Sequence, residues 1–157
     1  MRADPSADPI FGDPGIGNSG RGTACLSISM GATAFFPTNC GSAVSKSLQE
    51  VCWEGKDHRE YGGYTMYWSG GDTHELGAAF IVLGEMAKRV IGWWPVNDRM
   101  CRLIIKGRFF TLSIINVHSP HMRSDADDKD AFYELLDREY RKCPKHDVKI
   151  VIGDLNA

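Results

Sequence analysis

The sequence predicts an α/β fold, and three observations carry that expectation. Phe132, Leu135, Leu136 and Tyr140 fall at i, i+3, i+4 and i+8, which is one face of a helix. Short apolar runs bounded by turn residues recur upstream of it and read as strands. A further apolar run, Val148 to Ile152, follows the helix directly. Strands interleaved with a helix imply packed layers of both kinds.

The elements follow in chain order. Residues 1–24 are rich in Gly, Pro, Asp and Ser and include Asp13-Pro14-Gly15 and Asn18-Ser19-Gly20. They read as a disordered segment. Residues 25–45 are moderately apolar without a clear period, so 1–45 is expected to be poorly ordered or divergent and 46–157 to be the folded unit. Leu48 to Val51 reads as a short strand. Tyr64 to Trp68 alternates as a strand does and runs into the turn Ser69-Gly70-Gly71-Asp72. Ala78 to Leu83 is a short apolar run that suits a buried strand.

Cys101 to Ile105 and Phe109 to Val117 form a hairpin across Lys106-Gly107-Arg108, with Gly107 expected to take an unusual backbone angle. The helix is expected from about Asp125 to Cys143. Ser124 is its candidate N-cap, Asp127 and Asp128 favour its N-terminal end, and Pro144 stops it. Val148 to Ile152 is expected to be a fully buried strand.

Composition is that of an ordinary globular chain: 157 residues, 43% hydrophobic and 24% charged. A net charge of -2 supplies no global attraction to nucleic acid, although basic residues gathered on one face could still do so. Five cysteines form no CxxC pair, which argues against a zinc knuckle. Reduced thiols and the absence of a signal-like apolar run at Met1-Arg2-Ala3 suggest an intracellular protein. No stretch is apolar enough to span a membrane.

Three segments could carry chemistry. Glu50 closes Leu48-Gln49-Glu50, and a carboxylate there can ligate a hard cation that keeps most of its water. Taken alone, it reads as a surface or capping glutamate, the usual place for that residue type. Asp154 and Asn156, two apart in Gly153-Asp154-Leu155-Asn156, can point the same way. Asp154 could accept a proton from water and Asn156 could hold that water or a phosphate oxygen. An Asx turn is the bland alternative. His118, in Asn116-Val117-His118-Ser119-Pro120, is delivered by a strand to its end and could donate to a phosphate, or could be a locally satisfied turn histidine.

Together these segments, in this order, resemble the endonuclease/exonuclease/phosphatase superfamily. The closer similarity is to endonuclease domains of non-LTR retrotransposons and to the craniofacial development protein 2-like group. Met86 to Gly92, Pro95 to Arg99, Lys106 to Phe110, Asp130 to Tyr133 and Lys145 to Asp154 share in it. The resemblance covers about residues 47–157.

It implies a partial four-layered α/β sandwich of the deoxyribonuclease I kind, with two sheets face to face and helices outside. It implies Mg2+, or Mn2+ in its place, held by Glu50. It implies Asp154, Asn156 and His118 as catalytic residues, DNA as partner and the nucleus as the place of action. Water would attack the phosphate in line.

Two departures bear on activity. Asn39 does not match the asparagine of the family's first strand and is not assigned its role. The Asp-His pair that closes the family's catalytic set has no counterpart before Ala157. A chain truncated at its C-terminal half is therefore expected, with weak or no activity, and with open edges near Val148 and Ile114. Besides a DNA-nicking fragment, a phosphatase or phosphodiesterase acting on small esters and a non-catalytic binding remnant fit the same motifs.

Overall fold

Nine strands lie among the described residues, most of them short runs rich in β-branched and aromatic residues. The computed structural model describes residues 33–36, 43–72 and 76–155. The expected disordered stretch 1–24, Asn39 and Asn156 lie outside these. A first sheet comprises β1 (Thr33–Phe36), β2 (Ala43–Gln49), β3 (Lys56–Tyr61), β4 (Tyr64–Ser69) and β5 (Ala78–Leu83), in the order β1-β2-β5-β4-β3 and antiparallel throughout. A 3-10 segment, Gly84–Arg89, leads into a second sheet. That sheet is β6 (Val90–Asn97), β7 (Met100–Lys106), β8 (Thr111–His118) and β9 (Val148–Asp154), in sequence order. Helix α1 (Ala126–Lys142) crosses from β8 to β9, and these two strands run parallel, as a helical crossover requires.

The two sheets pack face to face. Tyr67, Phe80 and Val82 of the first meet Leu103, Ile105, Leu112 and Ile114 of the second in one core cluster. Each such side chain, fully buried, contributes roughly 1.5–3 kcal/mol. The opposite face of the second sheet is covered by α1, where Phe132, Leu135 and Leu136 pack on Met100, Ile115 and Val117. The outer face of the first sheet is covered differently. Leu48, Met66, Ala79 and Ile81 lie under Trp53, Tyr61, Tyr64 and Trp68. The helix layer that the resemblance implies on that side is not among the described residues.

Several expectations change. β2 stops at Gln49, because Glu50 turns out of the strand at φ 54. β3 reads Lys-Asp-His-Arg-Glu-Tyr and lies largely exposed on a sheet edge, so no apolar alternation marked it. β6 contains Pro95, which an edge strand tolerates. Gly107 has no positive φ. It is needed because a Cβ there would sit 2.5 Å from the Phe110 carbonyl oxygen, which accepts a hydrogen bond from its own N–H.

Asp125, not Ser124, occupies the N-cap of α1, without a side-chain cap bond. Tyr140 is exposed and Glu139 is buried in its stead. Arg102, itself buried, reaches from β7 to the Glu139 carbonyl oxygen (3.3 Å) and carboxylate (3.9 Å) and stacks over Trp94 at 4.6 Å. β9 is half-buried along most of its length, because it is the edge of its sheet. Ile114, expected near an open edge, is interior and 1% exposed.

Buried polar side chains also bond across the two sheets: Ser69 Oγ of β4 donates to the Asn97 carbonyl oxygen of β6 at 2.6 Å, and the most heavily bonded of them is on β8. Asn116 of β8 is fully buried and donates to the carbonyl oxygens of Leu48 (3.0 Å) and Ala79 (2.9 Å), one on β2 and one on β5. Its Oδ1 accepts from Gln49 Nε2 at 2.7 Å. Replacing it with alanine removes three buried hydrogen bonds and leaves the Gln49 amide without its acceptor. Each buried group left unmet costs about 1–3 kcal/mol. We expect Asn116→Ala to lose roughly 3 kcal/mol or more in urea unfolding, with Gln49→Ala losing clearly less. A loss below about 1 kcal/mol would mean that Asn116 does not clamp the sheets.

Candidate active site

Three strands end at one place. β2 ends at Gln49 and delivers Glu50; β8 ends in His118; β9 ends in Asp154. The parallel register pairs His118 with Asp154 directly. The Ser119 N–H donates to the Asp154 carbonyl oxygen at 2.8 Å, and the His118 N–H donates to that of Arg99 at 2.8 Å. The strand ends are thus tied to each other and to the turn between β6 and β7.

The β9 end depends on its glycine. Gly153 has φ +129, and a Cβ there would lie 1.9 Å from the Val117 carbonyl oxygen, so no other residue fits without moving a strand. The β2 end stores strain. Glu50 and Cys52 both have positive φ, 54 and 55, an uncommon conformation for residues other than glycine. The Val51 N–H holds this bend by donating to Gly77 O at 3.3 Å, and the Cys52 thiol donates to Glu50 O at 3.3 Å.

The bend turns the Glu50 side chain to His118, with Oε1 3.7 Å from Nε2. His118 is 2% exposed and Glu50 is about one-third exposed, so the pair has a dry side and a wet side. Burial pushes the His118 imidazole below its ordinary value, ahead of Glu50, which raises it; Arg99 and His121 lower it further and Asp154 raises it. The ring is therefore mainly neutral at pH 7, and its contact with Glu50 is polar rather than a full ion pair. Its Nδ1 is buried with no hydrogen-bond partner. Buried polar atoms left unmet are uncommon in native structures.

The structure brings Glu50, His118 and Asp154 together, whereas Asn156 falls outside the described residues. Among the described residues there is no cluster of three or more His, Cys, Asp or Glu side chains of the kind that cages a metal. A magnesium ion that keeps several waters needs only one or two carboxylates, and partly exposed Glu50 offers one. The donor set fits such an ion and does not fit zinc, which wants several nitrogen or sulfur ligands. Sequence reasoning missed Arg99 and His121. His121 stands edge-on to His118 with ring centroids 6.3 Å apart. Arg99 sits in a turn that only folding brings beside His118, whereas His121 is a loop residue three positions along from it with no motif of its own.

No family model matches the chain. It is 32% identical over 111 residues to craniofacial development protein 2 of Tragulus javanicus and 31% identical over 111 residues to that of Bos taurus. Each alignment covers 70% of this chain and 19% of the relative, so the chain spans about a fifth of the length of the curated relatives it matches. Over that stretch the chain is related to craniofacial development protein 2.

Proposed function

We propose that this chain is part of a magnesium-dependent phosphodiesterase of the endonuclease/exonuclease/phosphatase kind, with DNA as its substrate and the nucleus as its place of action. The observation that carries the reading is the meeting of Glu50, His118 and Asp154 at three strand ends, one of them held in strained backbone. Motifs separated by 68 and 36 residues have no local reason to meet, and a shared substrate gives them one.

Glu50 would hold the metal on its exposed side, and the bound ion would offset charge on the phosphate oxygens. His118 is neutral and buried, so it can donate one N–H to a phosphate oxygen without adding a charge. Asp154, at the tip of β9, can take a proton from the attacking water. Asn156 would orient that water through its amide. The Asp-His pair of the superfamily is missing from this stretch, so turnover by the chain alone is expected to be slow.

Supercoiled plasmid is the direct test. We expect slow nicking with Mg2+ or Mn2+ that stops on adding EDTA, and a fall of at least tenfold in both Glu50→Gln and Asp154→Ala. Nicking that persists in both variants would reject the assignment. Hydrolysis of nucleotides or inositol phosphates with no nicking would place the substrate among small esters.

Protonation gives a second check, made without metal. Because the folded imidazole of His118 holds its proton less tightly than an unfolded one, the unfolded state binds more protons below about pH 6.5. Stability should therefore be fully present above that pH and fall as the solution is acidified through it. We expect NMR titration to place His118 below the ordinary histidine value. A midpoint at or above it would mean that the ring is solvated or held charged by Glu50.

A further inference from the structure

Beside the strand ends lies a groove of about 430 Å³, between the β6–β7 turn and α1. That size falls within the range of small-ligand sites. Its walls are of two kinds. Leu76, Pro120, Phe132 and Leu135 give it an apolar side, and Arg99 and Asp128 are among its polar residues. It joins the candidate active site at two points. The Arg99 carbonyl oxygen accepts the His118 N–H, and Pro120 follows His118 by two residues.

The charges decide what could sit where. Arg99 is the one cationic side chain lining the groove among the described residues, and Asp98 and Asp128 are its two carboxylates. Two negative groups against one positive disfavour a phosphate in the body of the groove. They suit an uncharged moiety with amino or hydroxyl donors and an apolar face. A phosphate is better placed at the Arg99 side of the groove, where the Arg99 backbone is bonded to that of His118. A guanidinium is well shaped to bind phosphate oxygens there.

We propose that this groove seats the nucleoside that flanks the phosphate, and that Arg99 on its wall is the phosphate-contacting cation. The inference rests on the phosphodiesterase reading above and names the substrate side of it. The base lies against the apolar wall, and its exocyclic or sugar donors meet the carboxylates.

Binding can be read in EDTA, apart from catalysis, by NMR titration of the chain with thymidine 5′-monophosphate, thymidine and inorganic phosphate. Ala131 lines the groove from the exposed surface of α1, so Ala131→Trp fills the space without touching the core. We expect the nucleotide to shift the amides of Arg99, Ser124 and Ala131. Ala131→Trp should weaken nucleotide and thymidine at least tenfold and leave inorganic phosphate unchanged. Arg99→Ala should weaken nucleotide and phosphate at least fivefold, and Arg99→Lys should recover part of that. Circular dichroism confirms the fold of each variant.

Nucleotide binding unaltered in Ala131→Trp would overturn the proposal, as would a wild-type chain whose groove amides do not move. Inositol 1-phosphate displacing the nucleotide at equal concentration would overturn the nucleoside assignment. Retained groove binding with no metal-dependent nicking would reject the phosphodiesterase reading alone. Nicking with no groove binding would reject the groove alone.

Discussion

The structure turns on a single buried amide. Asn116 lies between two sheets whose facing side chains are otherwise largely apolar, and it is bonded to backbone of β2 and β5 and to the Gln49 side chain. Apolar packing is not directional and tolerates sliding. A buried amide is directional, because any shift leaves its donors and acceptors unmet in a dry space. The clamp therefore fixes β8 against β2 in register. Glu50 lies one residue beyond Gln49 on β2, and His118 lies two residues beyond Asn116 on β8. Whatever locks Gln49 to Asn116 also sets the distance between Glu50 and His118. The candidate site is an extension of the inter-sheet clamp, and its geometry is inherited from it.

The polar layer is not fully satisfied. Gln49 Oε1 and His118 Nδ1 are both buried without partners, and Glu50 and Cys52 are held at positive φ next to them. Natural cores leave few such groups unmet, and those that exist tend to collect where function is. Apolar burial elsewhere in the sandwich offsets these local costs. The second sheet is anchored separately, by Arg102 against Glu139 and Trp94 on its outer face. The strained end thus rests on a sheet that α1 already holds.

Much of the fold was legible in the sequence wherever burial and period coincide. β4, β5, β7, β8 and α1 are apolar on the faces they bury, and their bounds came out within two residues or so of the pattern. Elements whose structure depends on a neighbour were hidden. β3 is charged because it is an edge, and β6 carries a proline because it is an edge. Glu139 is an interior residue of α1 only because Arg102 waits for it on β7. Of the candidate site, the sequence offered residue types and a resemblance that named Glu50, His118 and Asp154, and the fold places these three at neighbouring strand ends. Its surroundings were not legible. The inter-sheet role of Asn116, the approach of Arg99 to His118 and the bend at Glu50 depend on segments apart in sequence, and no local pattern encodes them.

Direction of travel explains why the site forms at one end only. β8 and β9 run parallel because α1 carries the chain back across the sheet, so both present their C-terminal ends on the same side. An antiparallel β9 would have placed Val148 beside His118 and sent Asp154 to the far end. β2 belongs to the other sheet, yet its C-terminal end also lies there, as the approach of Glu50 to His118 demonstrates. Backbone hydrogen bonding lapses where strands end, and side chains from different elements can converge without the alternation that a strand imposes. The far end of the second sheet carries the β7–β8 hairpin instead, with Phe109 and Phe110 exposed at its tip. The asymmetry follows from topology: one helical crossover and one inter-sheet amide suffice to bring a carboxylate, an imidazole and a second carboxylate from three distant segments to a single edge.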